Sequence, residues 1–367
     1  TESADLFVRA SDGNDLNSGT SPDEAFATVQ KAIEAAAGGE VVLVYPGIYT
    51  EQVDYSGKAV TVTSLDPSDP CIVASTVIDA SAWDTAVLFD SEEDANSVLS
   101  GITVSGNVNY EVYIYRSSPV IDRCVVEGAE YSGIYCKYSD ALVTGCTVKN
   151  CLGQYADGIY CYDSPDTLIQ NSVIVSNTRG IWFNQSASSI VSCTVGDNDR
   201  NLNGSDNCIV RNCIFWGGEY MSFDSTTQVS YCSFDPNNRD VEGVGNIVVS
   251  EPLFVDESAG DYRLWPSSPC IDMGDPNSDY SLEPAGGGGR INLGAYGNTA
   301  DAAINIDNDG DGISDDWELQ MWPGDDPNAH GAEDDADGDG LRNIDEFWDR
   351  RDALVSDRAD MEGIVTN

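Results

Sequence analysis

Two stretches near the C-terminus place carboxylate side chains at alternate positions and then turn on a glycine. The first runs Asp307-Asn-Asp309-Gly-Asp311-Gly312-Ile313-Ser-Asp315-Asp-Trp-Glu318. The second runs Asp335-Ala-Asp337-Gly-Asp339-Gly340-Leu341-Arg-Asn343-Ile-Asp-Glu346. Read as twelve-residue loops, both offer oxygens at positions 1, 3 and 5, glycine at 6, a backbone carbonyl at 7, a polar side chain at 9 and glutamate at 12. That set suits one chemistry. A hard cation such as Ca²⁺ takes roughly six to eight oxygens, the glycine permits the turn that gathers them, and the last glutamate supplies two at once. Asp307, Asp309, Asp311, Ile313, Asp315 and Glu318 are the expected ligands of one Ca²⁺. Asp335, Asp337, Asp339, Leu341, Asn343 and Glu346 are those of a second. Residues 301–367 hold 21 acidic and 4 basic side chains. Trp317, Leu319, Trp322, Ile344, Phe347 and Trp348 supply the small core that a solvated acidic linker lacks.

The acidity extends over the whole chain. With 63 acidic and 17 basic residues among 367, the formal charge is −46. A nucleic-acid binder needs a basic face, and an anionic membrane surface repels such a chain. No apolar run reaches the roughly 18 residues of a membrane span. The chain opens on Thr1 with no basic-then-apolar leader, so it reads as a mature product. A surface of this kind stays hydrated in salt and divalent cations, which suits an extracellular or cell-surface location.

An internal repeat organises the middle of the chain. The segments Leu99–Val104, Ile121–Val126, Val143–Val148, Ile169–Ile174, Ile190–Val195, Val210–Phe215 and Val229–Phe234 share one pattern of apolar, two variable, small, variable, apolar. Units of about 20 residues rich in Val, Ile, Thr and Cys predict coils of a parallel β-solenoid rather than helical repeats. A second strand recurs as Val112–Tyr115, Gly133–Cys136, Gly158–Cys161 and Gly180–Phe183. Alternation sends Ile134, Cys136, Ile159, Cys161, Ile181 and Phe183 inward. Cys124, Cys146, Ser172, Cys193, Cys213 and Cys232 fall in one register. They are expected to act as small buried apolar groups, and serine in their place is expected to be poorly satisfied.

The outward positions carry a second pattern. Tyr113, Tyr135, Tyr160 and Trp182 occupy the same site in successive coils, so they should stack as an aromatic ladder, with Tyr115, Lys137 and Tyr162 beside it. Such a stack either stabilises the sheet face or contacts a glycan or partner. Asn184-Gln-Ser186 and Asn203-Gly-Ser205 make Asn184 and Asn203 possible glycosylation sites near this face. Candidate bases are Lys137, Lys149 and Arg179, with Asp140, Asp157 and Asp163 as nearby carboxylates. The single histidine, His330, lies outside the solenoid.

Phe26–Ala35 reads as a short amphipathic helix closed by Gly38-Gly39 and followed by the strand-and-turn Val41-Val-Leu-Val-Tyr-Pro-Gly-Ile-Tyr49. This entry module resembles that of right-handed parallel β-helix proteins of the pectate-lyase-like superfamily, where a helix caps the open end of the solenoid. Glu251-Pro-Leu-Phe254, Asp261-Tyr-Arg-Leu264, Ser268–Asp272 and Arg290–Tyr296 are similar to the C-terminal coil of that family. The acidic tail resembles EF-hand-like and thrombospondin type 3 calcium modules, including dockerin-like pairs. The resemblance implies an all-β fold: a β-helix with an N-terminal cap over residues 1–300, and a calcium-binding module with short helices over 301–367. Lyases of this superfamily abstract a proton with Lys or Arg while Ca²⁺ neutralises a uronate, and its hydrolases use clustered Asp with a nearby His. The fold also hosts adhesins and phage spikes, so the function stays open between two classes. The leading expectation is an extracellular, calcium-stabilised structural or adhesive protein, self-associating head to tail into a surface fibre or contacting a surface polysaccharide. The alternative is a secreted polysaccharide lyase.

Overall fold

The structure, a computed structural model, describes residues 4–106, 109–204, 207–218, 220–238, 241–305, 311, 313–326, 329–349 and 353–354. The chain packs as two compact units, residues 1–251 with 293–297 and residues 252–292 with 298–367.

The first unit is a parallel β-helix. Among the described residues, two sheets of ten strands and one of eight run along it, and every strand pairs with its equivalent one coil away. The first sheet runs from Leu6–Val8 to Gln228–Ser230, the second from Gly47–Thr50 to Ile247–Val248, and the third from Val53–Asp54 to Tyr220–Phe223. The repeated pattern marks the corner between the first two sheets. In the third coil of that pattern, strand Leu142–Thr144 turns through Gly145 into strand Thr147–Lys149. The turn residue is left-handed in coil after coil, at Arg123, Gly145, Asn171, Ser192, Asn212 and Tyr231.

The interior is filled by the alternation read from sequence. Ile134, Cys136, Ile159, Cys161, Ile181 and Phe183 are all buried. All eleven cysteines are free, and Cys71 alone is exposed. Each corner thiol donates to a carbonyl of its own coil and of the previous one, as Cys146 does to Thr144 and Ile121, both at 3.4 Å. Burial pushes the Cys146 and Cys193 thiols well up, so they stay protonated and inert. Ser172 corrects one expectation: its hydroxyl donates to Gln170 O at 2.7 Å and accepts from Cys146 N at 3.1 Å. Serine is thus satisfied at this register, because the backbone offers both partners.

Two polar ladders inside the coil were not anticipated. Ser117, Ser139, Ser164 and Ser186 line the corner after the third sheet, each amide donating to the next hydroxyl at 3.0–3.3 Å. At the opposite corner Cys151 N donates to Asn177 Oδ1 and Asn177 N to Asn198 Oδ1, at 3.0 and 2.9 Å. Both ladders satisfy backbone groups at bends where the sheets leave them unpaired.

The capping helix forms at Val29–Ala35, three residues after the expected start, because Thr28 caps it by accepting from Lys31 N. Phe26 lies ahead of it, bridged to Val8 in extended conformation. Strands Phe254–Asp256 and Asp261–Leu264 form an antiparallel hairpin instead of a further coil. Gly260, at φ +81°, lets the chain reverse there. In the second unit, helices Asp315–Met321 and Asn343–Asp349 surround Ile313, Trp317, Ala332 and Phe347, with Trp265 packed against them.

Candidate functional site

The third sheet carries the aromatic positions. Its strands Tyr110–Tyr115, Ser132–Lys137, Asp157–Tyr162 and Arg179–Asn184 align Tyr113, Tyr135, Tyr160 and Trp182 in one row, and Tyr115, Lys137, Tyr162 and Asn184 in the next. Successive ring centroids in the first row lie 5.4, 5.3 and 5.5 Å apart, with Tyr113 and Tyr135 nearly parallel at 4°. The four residues are half-buried. Partial burial pushes the Tyr110, Tyr113 and Tyr135 hydroxyls up, so they remain protonated donors.

Strict alternation missed part of this face. Tyr110 stands three residues before Tyr113, yet its ring lies 5.5 Å from that of Tyr113 and 4.9 Å from that of Tyr135. Two consecutive buried residues, Glu111 and Val112, break the alternation between them. The same step falls on glycine in later coils. A Cβ on Gly180 would lie 2.5 Å from the Asn201 carbonyl, so only glycine fits there. Tyr131, Tyr138 and Tyr155 join from the flanking turns. Nine of the chain's 17 tyrosines therefore gather on this face.

Of the candidate bases and carboxylates, the fold brings two together. Arg179 Nη2 donates to Asp157 Oδ2 at 2.8 Å and also to the Tyr155 carbonyl, and its guanidinium lies 4.1 Å over the Trp182 ring. Asp157 is buried, and desolvation outweighs the Arg179 charge, so its carboxyl is pushed up to about 7. The other candidates are dispersed. Lys149 pairs with Glu127 at 3.4 Å on the second sheet, Asp140 accepts from Asp166 N, and Asp163 sits exposed in a left-handed turn. Lys137 lies over the Tyr138 and Tyr162 rings at 5.4 and 5.6 Å. His330 stacks on Trp322 in the second unit. Asn184 Nδ2 donates to the Tyr160 hydroxyl at 3.0 Å, and Ser186 of its sequon is buried in the serine ladder. Asn203 follows Trp182 in register, and Ser205 of its sequon lies outside the described residues.

The raised Asp157 carboxyl has a pH signature. The folded state holds this proton more tightly than the unfolded chain, so the stability it contributes is complete below about pH 4 and disappears as pH rises through about 7. Asp157→Asn should remove that dependence. Denaturant melts across pH 5–8 should show wild type losing stability relative to the variant, and parallel curves would refute the assignment.

In the second unit, single oxygens of Asp335, Asp337 and Asp339 lie within 4.8 Å of one another. The loop holds its own shape: Asp335 accepts from the amides of Gly338, Asp339 and Gly340, and Asp339 from that of Leu341. Gly340 takes φ +104°, a conformation that favours glycine. Asn343 and Glu346, at positions 9 and 12, are both fully buried. Of the first loop, Asp307 and Asp309 lie outside the described residues. Asp311 accepts from the amides of Ile313 and Ala332, while Ile313, Asp315 and Glu318 are buried. Nearby Arg342 is engaged with Glu333 and Asp345 on the surface. An all-oxygen donor set of this kind fits a hard divalent cation.

Comparison with known proteins bears on the solenoid. The family model described as "Right handed beta helix region" matches residues 85–239. No curated protein sequence matches the chain. Among solved structures, pectate lyase Pel9A is similar at 15% identity over 79% of this chain and 96% of its own, with a TM-score of 0.49. Pectin methylesterase from carrot follows at 13% identity over 69% of this chain and 90% of its own, TM-score 0.39. A rhamnogalacturonan lyase is similar at 14% identity over 67% and 72%, TM-score 0.35. At these identities no residue role carries over, and with the strand pairing above the family match assigns residues 85–239 to a right-handed parallel β-helix.

Proposed function

We propose that the protein is an extracellular, calcium-stabilised β-helix that seats a saccharide chain along the row Tyr113, Tyr135, Tyr160 and Trp182. One observation carries this reading: four rings spaced 5.3–5.5 Å apart on a half-exposed sheet face, flanked by six more tyrosines. A tyrosine joins an apolar ring to a polar tip, which matches a sugar with its C–H faces and hydroxyls. A rigid parallel sheet holds the rings with little conformational freedom left to lose on binding. An adhesive role follows directly, since such a surface binds without changing its ligand. The Ca²⁺ loops hold the acidic second unit folded.

The double variant Tyr135→Ala/Tyr160→Ala should keep the wild-type melting temperature within a few degrees. It should bind saccharides on a glycan array at least about fivefold more weakly, as two rings contribute about 0.5–1.5 kcal/mol each. Unchanged binding by a folded variant would refute the ladder.

Asp157 supports a second, enzymatic reading. A carboxyl held near 7 beside an arginine is suited to proton transfer, as a polysaccharide lyase requires. In that case the bound saccharide should yield unsaturated products, and Asp157→Asn should abolish them without loss of binding.

A further inference from the structure

The chain crosses between its two units three times, after residues 251, 292 and 297. The last two crossings leave a short piece, Leu293-Gly-Ala-Tyr-Gly297, on the solenoid, while the residues on either side of it belong to the second unit. Its seat is the outside of the corner between the first two sheets. Gly294 N donates to the Asn212 carbonyl at 2.9 Å, and Ala295 N to Thr194 Oγ1 at 3.1 Å. Asn171 Nδ2 donates to the carbonyls of both Ala295 and Gly297, at 3.0 and 2.7 Å. Asn171, Thr194 and Asn212 belong to three successive coils. Coils stack about 4.8 Å apart, so three residues of extended chain, about 10 Å, span them. The piece therefore runs along the solenoid, from the coil of Asn212 at Gly294 to that of Asn171 at Gly297. In the outer row of the second sheet Val125 and Thr147 are half-buried, whereas Thr194 and Ile214 beneath this piece are buried. Gly294 takes φ +89°, and a Cβ there would stand 2.8 Å from both Ile214 Cδ1 and Thr194 Oγ1, so glycine permits this close seating.

The terminal coil is held less firmly. Met221, Phe223, Val229 and Val241 pack against the core there but are only partly buried. The last strand of the second sheet, Ile247–Val248, pairs over two residues. Each coil of a solenoid is held by its neighbours alone, so a pull on the terminal coil peels it first. We propose that Leu293–Gly297 is a strap that prevents this: tension on the chain beyond residue 297 enters the solenoid at the coils of Asn171, Thr194 and Asn212 and bypasses the terminal coil. The chain path is the reason. Residues 252–292 form a closed excursion between two points that both belong to the first unit. Once the second unit has opened, tension from the C-terminus therefore runs through Gly297 while the strap holds. Gly297 is the loaded end, and a single side chain, Asn171, grips that end with two hydrogen bonds. This role is independent of what the aromatic face binds.

Optical-tweezers pulling on the full chain in calcium tests this, with one handle on the thiol of Cys71, the only exposed cysteine, and the other at the C-terminus. In the native chain residues 252–297 should come free in an event of their own, after the second unit has opened and at higher force. That event adds about 150–165 Å of contour length, at about 3.3–3.6 Å per residue. The double variant Asn171→Gly/Thr194→Val removes three of the four bonds. Glycine suits the left-handed corner, as Gly145 does one coil earlier, and valine keeps the branched shape of threonine. This variant should lower the force of the event at least about twofold, or merge it with the opening of the second unit. Gly294→Ala crowds the strap against Ile214 and leaves every bonding group in place, and it should act in the same direction. An unchanged force in both variants would overturn the strap, as would a native chain that releases residues 252–297 together with the second unit.

Discussion

Chelation of calcium should unfold the acidic second unit while the solenoid stays folded. Calorimetry of the native chain should show two transitions in calcium, and EDTA should lower the transition that reports on Trp317 and Phe347. The reason lies in the acidic side chains of the two loops, with Glu318 and Glu346 buried and Asp335, Asp337 and Asp339 gathered within 4.8 Å of one another. Ligands that bind only the folded state stabilise it by mass action, about 4 kcal/mol at a thousandfold excess over Kd. With a core as small as this one, that term decides whether the unit folds. Glu346→Ala should weaken binding at the second loop and lower the same transition. Identical melting in calcium and EDTA, with no calcium retained, would show that the loops are not metal sites.

The second large effect is expected at adjacent residues with opposite roles. Phe183 points into the coil and is fully buried, in register with Cys161, whereas Trp182 points outward in register with Tyr160. Phe183→Ala should cost about 3–5 kcal/mol, the range for truncating a buried aromatic whose surroundings relax only in part. Trp182→Ala should cost about 1 kcal/mol through lost ring contacts, yet remove the end of the ladder and the seat of Arg179. Urea melts of the two variants compare these values directly. Similar losses at both positions would mean that the inward–outward assignment of this strand is wrong.

That assignment was legible in the sequence because a parallel solenoid repeats its register: Ile134, Ile159 and Ile181 fall at the same point of successive coils and must share an environment. The row Tyr113 to Trp182 was legible for the same reason. Tyr110 was not, since two consecutive buried residues shift the face at that point, and a rule based on period two cannot register the shift. The Asp157–Arg179 pair was half visible. Both residues drew attention as titratable groups, but their direct register across adjacent coils became evident only once the strands were aligned. Asn177 and Asn198 gave no periodic hydrophobic signal at all, because their task is to satisfy backbone amides at a corner. The antiparallel hairpin at Phe254–Leu264 was missed because short strands read alike in either direction.

The central claim is that a saccharide chain lies on the ladder, and a crystal structure of the protein with a bound oligosaccharide tests it most directly. The account predicts sugar rings along Tyr113, Tyr135, Tyr160 and Trp182. Ordered sugar bound on the first or second sheet, with the tyrosine face left bare, would contradict it.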